Sequence, residues 1–369
     1  MQRALKGALK AVSAAIGKHS LAILQHVLLE VDATAGVLRL AATDLECAMM
    51  RTLAGDTGVG ACTDSFSVAL PAKLLLDVIE NLPDGQMTIT YHPARSAVTI
   101  THGDAFEVVV HGLPAAEFPQ LPTPHGERVV ISGAHLATAI ALTKRCASTD
   151  DNRPALKAIR LKAEGQALSF AAADGHRAAF ATFPLQQPTT AAMHLPLADA
   201  LARVVPLFAE QPQVTLMFGQ NVLSIEGADA TATVRVVDAT YPAIDQLFAG
   251  AATASTTLVA ERDALVRAAK LNKVFATALC FQATDDRLTI GSTPQETGTN
   301  RTTIPVTISG PQHPLMLNVA FVLDALDAIA AANVAIMIQS PRAPVVFRPL
   351  ADPPQPYTYL HLVMPMTSI

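Results

Sequence analysis

Three sequence patterns recur along the 369 residues at a nearly constant interval, and this repeat constrains the fold more than any other feature. An aromatic-proline or methionine-proline step recurs at intervals of 123 residues, at Phe118-Pro119, Tyr241-Pro242 and Met364-Pro365. A Leu-Pro or Leu-Asn step comes before an apolar helical stretch at Leu70, Leu195 and Leu317. Three intervals of 123 residues equal the length of the chain. The sequence therefore predicts three copies of one domain, at residues 1–124, 125–252 and 253–369.

Each copy is predicted to be an α+β domain of two helices packed on antiparallel sheets. Apolar residues alternate with polar ones at 37–40, 98–101 and 106–110, which is typical of half-buried strands. Proline and small residues cluster at 119–126 and 249–255, so the copies are joined there. The first copy begins almost directly at its helix, and we expect its opening strand to be short or missing.

Composition excludes several classes of protein. The net charge of −5 argues against a nucleic-acid coat held by overall positive charge, although a local basic face is possible. The four cysteines are far apart and form no CxxC pair, which predicts neither a zinc site nor a disulfide framework and favours a reduced cytoplasm. We expect no export signal and no membrane span, because no run reaches 18 uncharged apolar residues.

Motifs for catalysis are missing from the sequence. Asp174, His176 and several serines could serve chemistry, yet there is no Gly-x-Ser-x-Gly elbow, phosphate-binding loop or glycine-rich dinucleotide turn. No histidine and carboxylate pair has the spacing of metal ligands. We therefore expect no catalytic residue, no metal and no cofactor.

Five motifs in order resemble one family, the bacterial DNA sliding clamps, which are the β subunits of the replicative DNA polymerase. They are Asp44-Leu-Glu46, Leu113-Pro-Ala-Ala-Glu-Phe-Pro119, Ala173-Asp-Gly-His-Arg177, Tyr241-Pro242 and Val363-Met-Pro-Met366. The resemblance covers essentially the whole chain. It implies a head-to-tail homodimer that closes a six-domain ring around duplex DNA. Such a protein is not an enzyme; it is a processivity factor that tethers polymerases, the clamp loader and repair proteins in the cytoplasm.

The resemblance also implies a hydrophobic cleft that binds a short peptide from each partner. Its walls would be Leu156, Gly175, His176, Arg177, Pro242, Leu247, Phe275, Asn318, Phe321, Leu362, Val363, Met364, Pro365 and Met366. Arg177, Asn318 and His176 would satisfy the amide groups of the peptide. Taken singly these residues have simpler interpretations, since Asp174-Gly175 is a hairpin turn signal and 363–366 suits a terminal strand. Their agreement with one family cleft favours the binding site.

Basic residues on one helix of each copy are expected to face DNA. The DNA-facing set is Arg3, Lys6, Lys10, Lys73, Lys144, Arg145, Arg203, Arg267, Lys270 and Lys273. Any one such face is ordinarily only a solvated helix surface, but three equivalent faces favour a lining role. Scattered cations suit sliding, because phosphate attraction without base contacts carries no sequence preference.

The dimer interface departs from the family pattern. Members typically set basic residues of the first domain against acidic residues of the third, whereas 102–107 and 294–301 here have weak charge complementarity. The interface would therefore rest mainly on apolar contacts, with Leu74, Val78, Leu82, Leu271 and Glu296 as its predicted members. These departures leave an alternative open, a clamp-derived paralogue that acts as a peptide-binding adaptor or decoy without forming a loadable ring.

Overall fold

The computed structural model describes residues 2–17, 21–54, 63–249, 253–292 and 298–366. The helices in these ranges are α1 (Gln2–Ser13), α2 (Ala72–Asn81), α3 (Gly133–Thr143), α4 (Ala198–Val204), α5 (Asp245–Ala249), α6 (Arg262–Lys273) and α7 (Val319–Ala328). Each repeat contributes two helices at corresponding places, α1 with α2, α3 with α4, and α6 with α7, and α5 is additional. None of the helices in the described part combines the length and hydrophobicity of a membrane span.

The strands lie before, between and after these helices, and the described residues contain eight in the first repeat, six in the second and nine in the third. The first repeat has β1 (His26–Asp32), β2 (Val37–Thr43), β3 (Cys47–Leu53), β4 (Phe66–Pro71), β5 (Thr88–His92), β6 (Ala97–His102), β7 (Phe106–His111) and β8 (Leu113–Pro114). The second has β9 (Glu127–Ile131), β10 (Arg160–Ala173), β11 (Arg177–His194), β12 (Val214–Phe218), β13 (Val222–Glu226) and β14 (Ala230–Arg235). The third has β15 (Thr256–Glu261), β16 (Ala278–Thr284), β17 (Arg287–Gly291), β18 (Arg301–Pro305), β19 (Thr307–Ser309), β20 (Leu315–Asn318), β21 (Asn333–Ile338), β22 (Val345–Leu350) and β23 (Thr358–Val363).

The chain divides into two compact units. The first comprises Met1–Ala137 with Asp199–Val236, and the second comprises Thr138–Ala198 with Val237–Ile369. The first unit holds a nine-stranded sheet of order β8-β4-β1-β2-β3-β14-β13-β12-β9 and a three-stranded sheet β5-β6-β7. The second holds a seven-stranded sheet of order β10-β11-β23-β22-β21-β15-β19 and a four-stranded sheet β18-β17-β16-β20.

Pairing between repeats explains why three copies form two compact units. β3 of the first repeat pairs antiparallel with β14 of the second, with Ala48 opposite Thr233. β11 of the second repeat pairs in the same way with β23 of the third, with Ala178 opposite Leu362. The strands of the central repeat are thus shared between two sheets. The α+β class is confirmed by these helices and antiparallel sheets, and the domain boundaries at 124 and 252 stay a prediction.

The start of the first repeat differs from the other two. β9 precedes α3 and pairs with β12, and β15 precedes α6 and pairs with β21. Among the described residues no strand precedes α1, and β5 has a neighbouring strand on one side only. α1 is instead held by its apolar side, where Leu5, Leu9 and Val12 are buried. The buried amide of Gln2 also donates to the Ile79 carbonyl at 2.8 Å and the Leu82 carbonyl at 2.9 Å.

Candidate functional site

Asp174 holds the turn at 174–177, which joins β10 to β11. The Oδ1 atom of Asp174 accepts hydrogen bonds from the backbone N–H groups of His176 at 2.9 Å and Arg177 at 3.0 Å. Gly175 between them has a φ of +98°, in the region that favours glycine. Side-chain capping of this kind holds a tight turn in one conformation. The turn therefore presents His176 at the surface and directs Arg177 inward.

Arg177 is the best-connected residue of the predicted cleft. Its Nε donates to Asp174 Oδ2 at 2.9 Å, its Nη1 donates to Asp324 Oδ2, and its guanidinium carbon lies 4.5 Å from the centre of the Phe321 ring. Burial opposes the charge, but the hydrogen bonds that Arg177 donates to both carboxylates raise its pKa. These contacts hold the guanidinium beside the cleft wall, and the role of Arg177 toward peptide amides stays a prediction.

The aromatic wall of the cleft comes from α7. The imidazole of His176 stacks on Phe321, with ring centres 6.4 Å apart and planes 20° apart. Asn318 caps α7, because its Oδ1 accepts from the Ala320 N–H at 2.9 Å. Only the amide NH₂ of Asn318 is left for a ligand. His176 and Asn318 thus remain the polar groups that can meet a peptide.

The apolar wall is supported by a buried cluster under the strand ends. Leu156 and Met364 pack against a group that contains Tyr241, Ile244, Phe248 and Leu362. The exposed Leu247 lies on α5, which Arg160 anchors through hydrogen bonds of 2.7 and 2.6 Å to Asp245. These hydrogen bonds from Arg160 lower the pKa of Asp245.

Residues 364–366, the last that the structure describes, continue the apolar wall of the predicted cleft. Met364 N–H donates to the His176 carbonyl at 2.8 Å, and Met366 N–H donates to the Met316 carbonyl at 2.7 Å. Pro365 between them is half-buried, and Pro242 is exposed. The strand end therefore runs beside the turn at 174–177.

Two predicted wall residues need correction. Leu362 is 1% exposed and Val363 is fully buried, because both lie inside β23 between neighbouring strands, so they support the cleft and do not line it. Phe275 follows α6, is half-buried and has its ring close to Gly298, and its place in the cleft wall stays a prediction. The cleft is defined below as Leu156, Gly175, His176, Asn318, Phe321, Leu247, Pro242 and 364–366.

Sequence reasoning missed the groups that hold the cleft together. Asp324 pairs with Arg177 from the neighbouring repeat, and Phe248 packs against Phe180 with ring centres 5.2 Å and planes 33° apart. An aspartate in the otherwise apolar turns of α7 is the one signal that pointed to Asp324. Nothing in the local sequence indicates which cation it meets.

Replacing Arg177 with alanine is expected to lower the free energy of unfolding by about 2 kcal/mol, because two carboxylates lose their shared partner. The value is below that of a fully buried pair because Asp324 is partly exposed. Urea unfolding of Arg177→Ala, Asp324→Asn and the double variant measures it. If the two single changes add without coupling, the ion pair does not stabilise the cleft.

The predicted DNA-facing residues differ in how freely they can meet a phosphate. In the first repeat Arg3 binds Asp84 at 2.5 Å, Lys10 binds Glu80 at 2.7 Å and Lys6 lies 3.5 Å from the same carboxylate. These cations lower the pKa values of both carboxylates through their hydrogen bonds. Two carboxylates thus offset two of these three positive charges within the unit.

The remaining basic residues fall into two groups. Lys73, Lys270 and Lys273 are exposed and form no ion pair within the described residues, Arg267 lies 3.8 Å from Glu261, and Lys144 is half-buried. Two arginines have partners, since Arg145 lies 3.3 Å from Asp324 and Arg203 binds the buried Asp44 at 2.6 Å. Arg203 therefore holds a buried carboxylate, and its place in the DNA-facing set stays a prediction.

Exposed apolar side chains mark two surfaces, one on each unit. Leu74 on α2 and Leu271 on α6 are about half exposed, as an interface requires, and Val78 is half-buried. Leu82 is only 7% exposed beneath the end of α2, so its place in the predicted interface is corrected. Glu296 lies outside the described residues. Sequence reasoning missed the exposed Phe106 and Val109 on the edge strand β7, and Val274 beside Leu271.

Comparison with known proteins gives one consistent result. Models of the DNA polymerase III beta subunit match the chain at residues 2–122 for the N-terminal domain, 130–243 for the central domain and 251–367 for the C-terminal domain. The chain is 28% identical over 373 residues to the beta sliding clamp of Synechocystis sp., covering 94% of this chain and 93% of the relative. It is 27% identical over 378 residues to that of Synechococcus elongatus, covering 99% and 97%.

Solved structures share the fold. The DNA polymerase III subunit beta from Pseudomonas aeruginosa superposes with a TM-score of 0.90 at 22% identity, over 99% of this chain and 98% of that one. The sliding clamp from Bacillus subtilis gives 0.91 at 19% identity, over 100% and 98%. A Pseudomonas aeruginosa clamp bound to griselimycin gives 0.89 at 21% identity, over 100% and 98%.

Proposed function

Because the chain belongs to the family of DNA polymerase III beta subunits, we propose that it is a DNA sliding clamp, a non-catalytic processivity factor that encircles duplex DNA in the cytoplasm. The observation that carries this proposal is the ordered match of all three family domains over nearly the whole chain. The protein's task is then topological, and its partners are duplex DNA, polymerases, the clamp loader and repair proteins.

The cleft is the proposed docking site for the short peptides of these partners. Its half-exposed Met364 and Met366 suit varied leucine and aromatic anchors, because methionine side chains adapt to irregular surfaces. His176 and Asn318 can pair with peptide amide groups beside this apolar surface. The ion pairs of Arg177 hold the aromatic wall in place before a ligand arrives, which reduces the entropy lost on binding.

Ring closure is proposed to join the apolar surface of one chain's first unit to that of its partner's second unit. Leu74, Phe106 and Val109 form the first surface, and Leu271 with Val274 forms the second. Buried apolar anchors supply affinity, whereas complementary charge mainly accelerates association. The weak charge complementarity here then gives a ring that closes slowly but can still close.

DNA contact is proposed to be weak and sensitive to salt. Lys73, Lys270 and Lys273 are exposed cations that can meet phosphates, while Glu80 of α2 and Asp84 beyond its end offset cations of α1. Such a surface attracts the DNA backbone without reading bases, and this suits a ring that must slide.

The proposal predicts a molar mass of twice 38.7 kDa by light scattering across a dilution series, and retention on nicked circular DNA after loading by the host's clamp loader with ATP. Cutting the circle should release the protein, because only an encircling ring depends on closed ends. Phe106→Glu is the disrupting variant. A charge placed in the interface should give the mass of a monomer and no retention of the protein on circular DNA. A monomer in the unsubstituted protein that still binds partner peptides would contradict the clamp and favour the adaptor or decoy.

A further inference from the structure

We propose that the first unit contains a second peptide-binding pocket, which takes an extended peptide with one apolar anchor side chain flanked by a basic and an acidic residue. The pocket lies where β3, β14 and the linker at 119–125 meet, and we call it the linker pocket. The inference rests in part on the proposed function of the cleft, because both sites are built on the same element of the internal repeat.

The backbone that forms the cleft turn is reproduced in the first unit. Asp44 Oδ1 accepts from the N–H groups of Glu46 at 3.0 Å and Cys47 at 2.8 Å, as Asp174 does from the corresponding groups of its own turn. The Arg235 N–H donates to the Glu46 carbonyl at 2.8 Å, the distance between Met364 and His176. Glu46 and Arg235 therefore occupy the places of His176 and Met364.

An ion pair holds this frame as it does in the cleft, with the charges exchanged. In the cleft an arginine of the turn meets an aspartate of the second helix of the next repeat, Asp324 in α7. In the first unit an aspartate of the turn, Asp44, meets an arginine of the second helix of the next repeat, Arg203 in α4, at 2.6 Å. Asp44 is 3% exposed, so the turn is fixed from below. A preorganised frame of this kind favours ligand binding because the protein loses little conformational entropy when the ligand binds.

The linker explains why this site is open. Counted from Pro119 and Pro242, Leu121 and His125 correspond to Ile244 and Phe248. In the second unit Ile244 and Phe248 are buried, and α5 fills the space beside the turn. The first linker forms no helix like α5, because its prolines are incompatible with a helix interior. Its histidine, His125, is exposed and does not fill the space beside the turn. A cavity of about 360 Å³ results, within the range of ligand sites.

The lining identifies the ligand. Leu45, 58% exposed, Pro119 and Val222 form an apolar floor that would cover one aliphatic side chain. Cys47 also lines the pocket, and burial raises the pKa of its thiol to about 12. The side chains of Glu46 and Arg235 stand exposed at the mouth, and within the described residues neither forms a hydrogen bond or an ion pair. One acidic and one basic group beside an apolar floor match a peptide of mixed charge.

Methyl NMR of the whole protein separates the two sites, because Leu45 and Val222 report the linker pocket while Leu156 and Leu247 report the cleft. The probes are acetyl-Arg-Leu-Glu-amide, the reversed order acetyl-Glu-Leu-Arg-amide, and the neutral acetyl-Gln-Leu-Gln-amide. We expect one charged peptide to shift the Leu45 and Val222 signals with a saturable dependence. The neutral peptide should bind there about tenfold more weakly.

Glu46→Gln with Arg235→Gln should weaken the Leu45 and Val222 response about tenfold without changing the cleft signals, since both side chains are exposed. His176→Ala with Met364→Ala is the matched control, which should affect the cleft signals alone. Pocket signals that do not move up to about 10 mM of either charged peptide would overturn the proposal, whatever the cleft does. A response that ignores the glutamine changes would overturn the assigned ligand chemistry. If a peptide shifts the Leu45 and Val222 signals but not the Leu156 and Leu247 signals, the linker pocket is supported and the proposed cleft is contradicted.

Discussion

Replacing His176 and Met364 together with alanine is expected to weaken the binding of a partner peptide at least about a hundredfold, because central contacts of a peptide site contribute about 1–2 kcal/mol each. His176 supplies a polar group and a ring that stacks on Phe321, and Met364 supplies the adaptable apolar wall. Neither change removes a backbone hydrogen bond, since Met364 and His176 pair through their main chains. The fold and the dimer mass should stay unchanged.

Isothermal titration calorimetry with unlabelled peptides from the host's own replicative polymerase measures this effect. Met193→Ala is the matched control, because Met193 is an exposed methionine on β11 away from the turn at 174–177. Deletion of 364–369 should have the same consequence as the double change. Unchanged affinity in both variants would show that partner peptides bind elsewhere.

Acidification from pH 6.5 to about pH 4.5 is expected to reduce the free energy of unfolding by about 2–3 kcal/mol through His361 alone. Burial lowers the pKa of this fully buried imidazole to about 3, against about 6.5 in an unfolded chain. Between those values the unfolded chain binds a proton that the folded chain does not, so stability falls as pH falls. Above pH 6.5 neither state is protonated and the contribution vanishes.

The surroundings of His361 explain why it stays neutral. Tyr359 donates to the Leu142 carbonyl at 3.3 Å and its oxygen lies 2.9 Å from His361 Nδ1, while Cys146 Sγ lies 3.7 Å from Nε2. A neutral ring with its proton on Nδ1 satisfies all of these groups. Charged groups nearby act in both directions: Arg177 and Arg145 lower the pKa further, and Asp324 and Asp174 raise it.

Urea unfolding at several pH values tests this contribution. His361→Gln removes the titrating group while keeping a polar side chain, and should reduce the slope of unfolding free energy against pH by about 1.4 kcal/mol per unit between pH 4 and 6. Met193→Ala, an exposed change that removes no titrating group, is the control and should leave the slope unaltered. Equal slopes for His361→Gln and the unsubstituted protein would show that His361 is protonated in the folded chain.

The sequence by itself determined the architecture. Recurrent proline steps and helix starts established three copies of an α+β domain, because a repeated pattern of apolar residues must fold repeatedly into the same element. The motif at 173–177 likewise located the cleft turn, since the capping of Asp174 depends on residues two and three positions along the chain. Features governed by local spacing were within reach of sequence reasoning.

Only the tertiary structure decided what each side chain does. Arg177 and Arg203 are arginines in motifs or on helices that suggested ligand contact, and both proved to be bound to aspartates far along the chain. Leu82, Leu362 and Val363 have the hydrophobicity of surface anchors but lie inside packed elements. The linker pocket exists because the linker at 119–125 forms no helix to fill the space beside β3 and β14. That space is formed only when these two strands pair. Burial and ion pairing depend on which distant residues meet, and that is set by packing across repeats rather than by local spacing.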